Sequence, residues 1–271
     1  MKNLKAKISD LKRNFRGLYD RRFDRFEDLP LGENRIILGE TVEGREIGAY
    51  KFGRNGKVKI LLLGGIYGNE IGTVKLMHHL VNYLDGRKQP ILGVDIFVIP
   101  CLNLDGMASA LEQERYFARS DIGRLNANKV DLGQNFETES FEPENFLHSG
   151  SGYTTVYCGE TPLSEPESRH LADFMLEQGI NVLYCFIGEG KEIFGNEGNL
   201  AEKLRKDFVK SSGYRYVDGE DGGATKITGT LAEWCYEKQI VYLGVRSGTT
   251  RGSDWKNTKA AIISGLKYHY G

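Results

Sequence analysis

The sequence predicts an α/β protein built on a mostly parallel sheet with helices on both faces. Three observations carry this. Val58–Leu63 (VKILLL) is a β-branched and leucine-rich run with no polar face beyond Lys59, as a strand buried on both sides requires. It ends at Gly64-Gly65, where the backbone can turn tightly, and apolar positions Ile71, Val74, Leu80 and Leu84 follow at helical spacing, with Asn69 placed to cap them. The same alternation of strand and helix recurs to the end of the chain, which implies parallel strands joined by covering helices.

Taken in order, Leu4, Ile8, Leu11, Phe15 and Leu18 recur at alternating four- and three-residue steps among Lys, Arg and Asp. Residues 3–27 therefore read as an amphipathic helix, within a unit of residues 1–30 that precedes one domain over 31–271. That helix either packs on the domain surface or serves as a homodimer contact or pocket cover. Residues 35–38 and Glu46–Phe52 read as a hairpin about Glu43-Gly44. Residues 94–100 (VDIFVIP) form the next buried strand, and 101–106 its exit loop. Residues 107–163 carry few periodic signals and read as a long functional loop. Ser164-Glu165-Pro166-Glu167 reads as a capping box with proline in the first turn, opening a helix to about Leu176. Residues 181–187 (NVLYCFI) form a strand that ends at Gly188-Glu189-Gly190, and 199–210 and 230–237 read as helices. The last strand, 240–245, runs into Arg246-Ser247-Gly248, and Ser253 caps a final helix through Tyr268.

No Ser/Pro-rich linker, repeat or low-complexity tract divides the 271 residues. A formal net charge of -1 offers no basic excess for nucleic acid, and no apolar run is long enough to span a bilayer. The N-terminal MKNLKAKISDLKRNF lacks the apolar stretch of a signal peptide, so the expectation is a soluble, cytoplasmic protein with neither nucleic acid nor membrane as partner. Cys101, Cys158, Cys185 and Cys235 form no CxxC pair and read as buried free thiols.

Four segments stand at the carboxyl ends of these strands: GGIYGNE (64–70), PCLNLDG (100–106) leading to RLNANKVDLGQNF (124–136), YCFIGEG (184–190) and GVRSG (244–248). In this order and spacing the chain resembles the zinc metallocarboxypeptidase family, in particular its murein-peptide amidase and carboxypeptidase branch, over roughly residues 40–265. TVEGREI, YCGETPLSEPES and GTLAEWCYEKQI support the match. The resemblance implies a three-layer α/β/α fold around a mixed, mainly parallel eight-stranded sheet. It also implies a site with three zinc ligands, a general-base glutamate and basic groups that grip a substrate carboxylate.

Most of that machinery is exchanged here. Tyr67 occupies the first ligand's histidine position, Glu70 keeps the second, and a gapless match puts Phe186 at the third, or Ile187 if the register slips by one. A phenol with a pKa of about 10 is a poor zinc ligand beside imidazole, and phenylalanine is none. Arg246 falls where the general base is expected, and a guanidinium cannot accept a proton from water. The gripping Asn-Arg pair is Gly133-Gln134, while Arg124 matches the arginine that polarises the scissile carbonyl.

The resemblance therefore implies a carboxypeptidase-like protein without zinc or hydrolase activity, with a cleft for a peptide, a murein fragment or an acidic small molecule. Arg124, Gln134, Arg246 and Tyr67 are the candidate binding residues, and Glu70 a vestigial ligand that reads equally as a carboxylate at a helix start. Arg246 has a second reading, an internal ion pair with Glu70. The alternatives are an active zinc hydrolase with a displaced ligand set, Glu70 with Glu189 and His148, and a structural or interaction module.

Overall fold

The structure, a computed structural model, describes residues 34–87, 93–113, 122–149, 152–218 and 227–267. The expected N-terminal helix lies outside the described residues. Strand β1 (Arg35–Glu40) pairs antiparallel with β2 (Glu46–Phe52), as the hairpin reading requires. Its turn is tied to the body by Asp105, which accepts from Thr41 Oγ1 at 2.7 Å and from the Glu43 N–H at 3.0 Å.

β3 (Val58–Leu63) and β4 (Val94–Ile99) form the central parallel pair, which β7 (Val182–Glu189) and β10 (Val241–Ser247) extend in parallel. Two strands absent from the sequence reading follow, β8 (Glu192–Gly195), antiparallel to β10, and β9 (Arg215–Tyr216), parallel to β8. The result is a mixed eight-stranded sheet in the order β1-β2-β4-β3-β7-β10-β8-β9.

Alternation along the strands divides the apolar side chains between two cores. On one face Leu61, Leu63, Leu183, Cys185, Ile187 and Tyr242 pack under helices α3 (Pro166–Gln178) and α5 (Leu231–Glu237). On the other, Ile60, Leu62, Tyr184, Phe186, Leu243 and Val245 pack under α1 (Ile71–Asp85), α4 (Asn199–Ser212) and α6 (Trp255–Lys267). Each fully buried leucine or isoleucine contributes about 1.5–3 kcal/mol of transfer free energy, so the two cores, not the loops, hold the sheet ends in register. The four cysteines are free and buried, as expected. Among the described residues no helix is long and apolar enough to cross a membrane.

Three local expectations are corrected. The cap position of α1 belongs to Glu70 and not Asn69, and no side chain caps it; Thr73 instead donates to the Glu70 carbonyl at 2.8 Å and accepts from the Gly65 N–H at 3.0 Å. The capping box at α3 does not form, because Glu165 holds the cap position and its carboxylate is taken by Asn126 and Asn128, at 2.6 and 2.8 Å. The segment 107–163 is not a bare loop: it overlaps α2 (Leu104–Gln113) and contains a 3-10 turn (Leu132–Gln134) and the hairpin β5 (Glu144–Ser149) with β6 (Gly152–Tyr157). A side-chain cap appears instead at α5, where Thr230 Oγ1 accepts from the Glu233 N–H at 3.0 Å, while the Glu233 carboxylate accepts from the Gly229 N–H, one residue before the cap, at 3.2 Å.

Candidate functional site

The β3–α1 turn carries Tyr67 and Glu70 to the carboxyl end of the sheet. Gly65 adopts φ +58, and Gly68 lies so close to α2 that a Cβ there would stand 2.2 Å from the Met107 nitrogen. Only glycines let this turn pack as it does. Tyr67 is buried in the first core beside Leu132, Phe136 and Ile187.

The Arg124 guanidinium lies over the Tyr67 ring, 3.8 Å from its centroid, and Nη2 donates to Asp131 Oδ2 at 3.0 Å. Burial works against the charge on Arg124, but Tyr67, Asp131 and Glu70 outweigh it and hold the group above the ordinary arginine value. Asp131, whose side chain is fully buried, also accepts from the Gly133 N–H at 3.0 Å and so caps the 3-10 turn. Gly133 has no left-handed backbone that would call for glycine. Its reason is spatial: a Cβ there would meet Tyr67 Oη at 2.5 Å and Cζ at 3.2 Å.

Gln134 is buried, and its Oε1 accepts from Asn145 Nδ2 at 2.8 Å. Asn145 Nδ2 also donates to the Thr228 carbonyl at 2.9 Å, and its Oδ1 accepts from Thr228 Oγ1 at 2.9 Å and the Thr228 N–H at 3.3 Å. One buried amide thus ties β5 to the 3-10 turn and to the approach to α5. The next residue, Asn135, does similar work, donating to the Cys158 carbonyl at 2.7 Å and accepting from the Glu165 N–H at 3.2 Å.

Arg246 forms its ion pair with Glu192, Nη1 to Oε2 at 2.7 Å, and not the pair with Glu70 that the sequence offered. β10 and β8 place the two residues directly opposite each other, and a strand too short to be read from sequence supplies the partner. Arg215 takes the other oxygen of Glu192, so one carboxylate bridges two guanidiniums. The Glu192 carboxyl is held below the ordinary value, chiefly by the hydrogen bond from Arg246 and then by that from Arg215. The Arg246 guanidinium stands 5.2 Å from the Phe194 ring centroid. Glu70 Oε1 and Arg246 Cγ both approach Gly188, lying 3.8 and 4.0 Å from where its Cβ would be.

The third ligand position needs correction. Phe186 lies in the core under α1, α4 and α6, on the opposite face of the sheet from Tyr67, while Ile187 shares the Tyr67 core. A side chain at 186 points away from the site because neighbouring strand residues face opposite ways. Arg246 and Ile187 are register partners across β10 and β7, and of the two matches Ile187 is the one on the face that carries Tyr67. Glu189 is exposed, with Thr250 Oγ1 3.5 Å from its Oε2. His148 stands on β5, and its side chain lies outside the described residues.

A mixed eight-stranded sheet covered on both faces, with these residues converging at its carboxyl end, defines a metallocarboxypeptidase-like α/β/α protein. The chain belongs to the zinc carboxypeptidase family, whose profile matches residues 33–243. It is 29% identical over 154 residues to carboxypeptidase B of Astacus astacus, covering 54% of this chain and 50% of that protein. Against carboxypeptidase B of Rattus norvegicus it is 26% identical over 235 residues, covering 76% and 55%. The chain thus spans about half the length of the curated relatives it matches. In fold it is similar to the murein-tripeptide amidase MpaA of Escherichia coli O157, with TM-score 0.65, 18% identity, and 90% and 95% of the two chains covered. It is similar too to thrombin activatable fibrinolysis inhibitor, with TM-score 0.70, 16% identity, and 96% and 73% covered.

The family's zinc does not fit the donors at this position. A carboxylate, a phenol under a guanidinium and a hydrocarbon at Ile187 do not make a three-ligand site. Among the described residues no three His, Cys, Asp or Glu side chains come together to hold a metal elsewhere.

Sequence reasoning missed Asp131, Glu192, Arg215 and Asn145. Asp131 carried a local signal, an Asp two residues before a glycine, the pattern of a side chain capping its own turn. Glu192, Arg215 and Asn145 carried none, since their roles depend on strands that pair only in the folded chain.

Proposed function

We propose that this chain is a zinc carboxypeptidase-family protein that has given up peptide hydrolysis and keeps the cleft at the carboxyl end of its sheet as a binding site. Its ligand is a peptide or a murein fragment. The observation that carries this reading is Tyr67 in the first ligand's place, buried against Gly133 and covered by Arg124. Hydrolysis by the family's route needs a metal-held water and a base. Tyr67, Ile187 and Arg246 supply neither, whereas Arg124, which would polarise a carbonyl, is retained and its side chain is 31% exposed. Likeness to a murein-tripeptide amidase and to carboxypeptidases supports a peptide as the ligand class.

The test is elemental analysis of purified protein, a hydrolysis assay over peptide and murein-peptide substrates, and calorimetric titration with the same compounds. Binding without turnover, and no stoichiometric zinc, is the expected outcome. Stoichiometric zinc that Glu70→Ala removes, together with turnover, would establish the displaced-ligand hydrolase instead. The Arg246–Glu192 pair favours a further reading, a structural module whose former base position is filled by an ion pair. Absence of any binding, with Arg246→Ala only lowering the melting temperature, would select it.

A further inference from the structure

The departures at positions 67 and 133 touch each other. Tyr67 Oη occupies the space a side chain at 133 would need, and the Gly133 backbone is of an ordinary kind that any residue adopts. Above the ring lies Arg124, whose Nη2 is committed to Asp131, and Asp131 in turn holds the Gly133 N–H. The four residues close on themselves: ring, guanidinium, carboxylate and turn.

The other cation of the cleft is likewise committed. Arg246 gives Nη1 to Glu192, which Arg215 also contacts, and Gln134 Oε1 is taken by Asn145. A bidentate match to an incoming carboxylate needs a guanidinium edge that is not already facing one. Arg124 faces Asp131 and Arg246 faces Glu192, so an anion arriving at either guanidinium also meets a carboxylate already in place. An uncharged carbonyl faces no such penalty.

Resting on the peptide-binding reading above, we infer that Tyr67 is the specificity-determining residue of the cleft. It closes the end at Gly133, so that a bound chain is held through its uncharged backbone and not through a terminal carboxylate. The ligand class is then the interior of a peptide, or one whose end is amidated.

Two measurements test this, and they fail separately. The first is a thermal double-mutant cycle. Gly133→Ala places a Cβ against Tyr67 Oη, and overpacking of this kind lowers the melting temperature by roughly 2–6 °C. In Tyr67→Phe, which keeps the ring under Arg124 but lacks the oxygen, the same change should cost less than half as much. An equal loss in both backgrounds overturns the closure. The second is calorimetry of the native protein with an acetylated tetra-alanine as free acid and as carboxamide. The two should bind within about threefold of each other; an acid that binds tenfold tighter than its amide overturns the inference. If neither binds, the peptide-binding reading falls, and the role assigned to Tyr67 in specificity falls with it whatever the cycle shows.

Discussion

Arg246 and Glu192 face each other across antiparallel strands, Nη1 to Oε2 at 2.7 Å, with side chains 25% and 9% exposed. The arginine matched from sequence to the family's base position is thus paired within the sheet, and its partner is a residue on a strand of only four residues.

Removing that cation should be felt as stability. Arg246→Ala leaves Glu192 with Arg215, whose side chain is 74% exposed, and is expected to cost about 1 kcal/mol at neutral pH. The pH dependence has a definite sign. Glu192 is depressed in the folded state, so its contribution is full above the unfolded carboxylate value of about 4.3 and is lost as pH falls through the folded value. Melting temperatures of native protein and variant should converge as pH drops from 7 to below about 4. A constant gap across that range would remove Glu192 from the explanation.

Asn145→Ala deletes five hydrogen bonds, strands the Thr228 carbonyl oxygen and leaves Gln134 Oε1 with only the Cys158 thiol, all in a buried setting. A loss of about 2–3 kcal/mol is expected, read as a lower urea midpoint at unchanged slope. Asn145→Asp should be no better, since a carboxylate cannot donate to either carbonyl oxygen.

Tyr184 gives the opposite expectation. Its hydroxyl is buried in the second core, has no hydrogen-bond partner among the described residues, and lies 2.5 Å from where a Cβ on Gly265 would be. Burial pushes its pKa up. Tyr184→Phe removes an unsatisfied polar atom and should leave stability unchanged or raise it by up to about 1 kcal/mol. A lowered melting temperature would point to a bound water that the hydroxyl serves.

The assignment of Ile187 rather than Phe186 to the site can be tested by building on it. Tyr67→His with Ile187→His puts two imidazoles beside Glu70 on one side of the sheet, and should bind cobalt(II) at one equivalent with a visible absorption band. Tyr67→His with Phe186→His should bind none, because residue 186 faces the other core. Equal binding by the two variants would put the register in doubt.

Much of the fold was legible because its central strands are long apolar runs bounded by glycine. Val58–Leu63 was read to the residue, and Val94–Ile99, Val182–Glu189 and Val241–Ser247 to within two. The motifs that follow these strands located Tyr67, Glu70, Arg124 and Arg246 at the carboxyl edge. What could not be read was whatever has no local period: a two-residue strand at Arg215–Tyr216, a four-residue one at Glu192–Gly195, and a hairpin inside a polar stretch.

The sequence by itself determined which side chains follow the central strands, because the identities of Tyr67, Glu70, Gly133 and Arg246 decide what can ligate, grip or accept a proton. Only the tertiary structure decided who touches whom. A strand buried on both faces reads the same in either register, so Phe186 and Ile187 became distinguishable once the sheet assigned each a side. The partners of charged groups are set by strand pairing and not by sequence distance. Glu192 meets Arg246 from 54 positions away, and Tyr67 meets Gly133 across two separate turns, which no periodicity along the chain can encode.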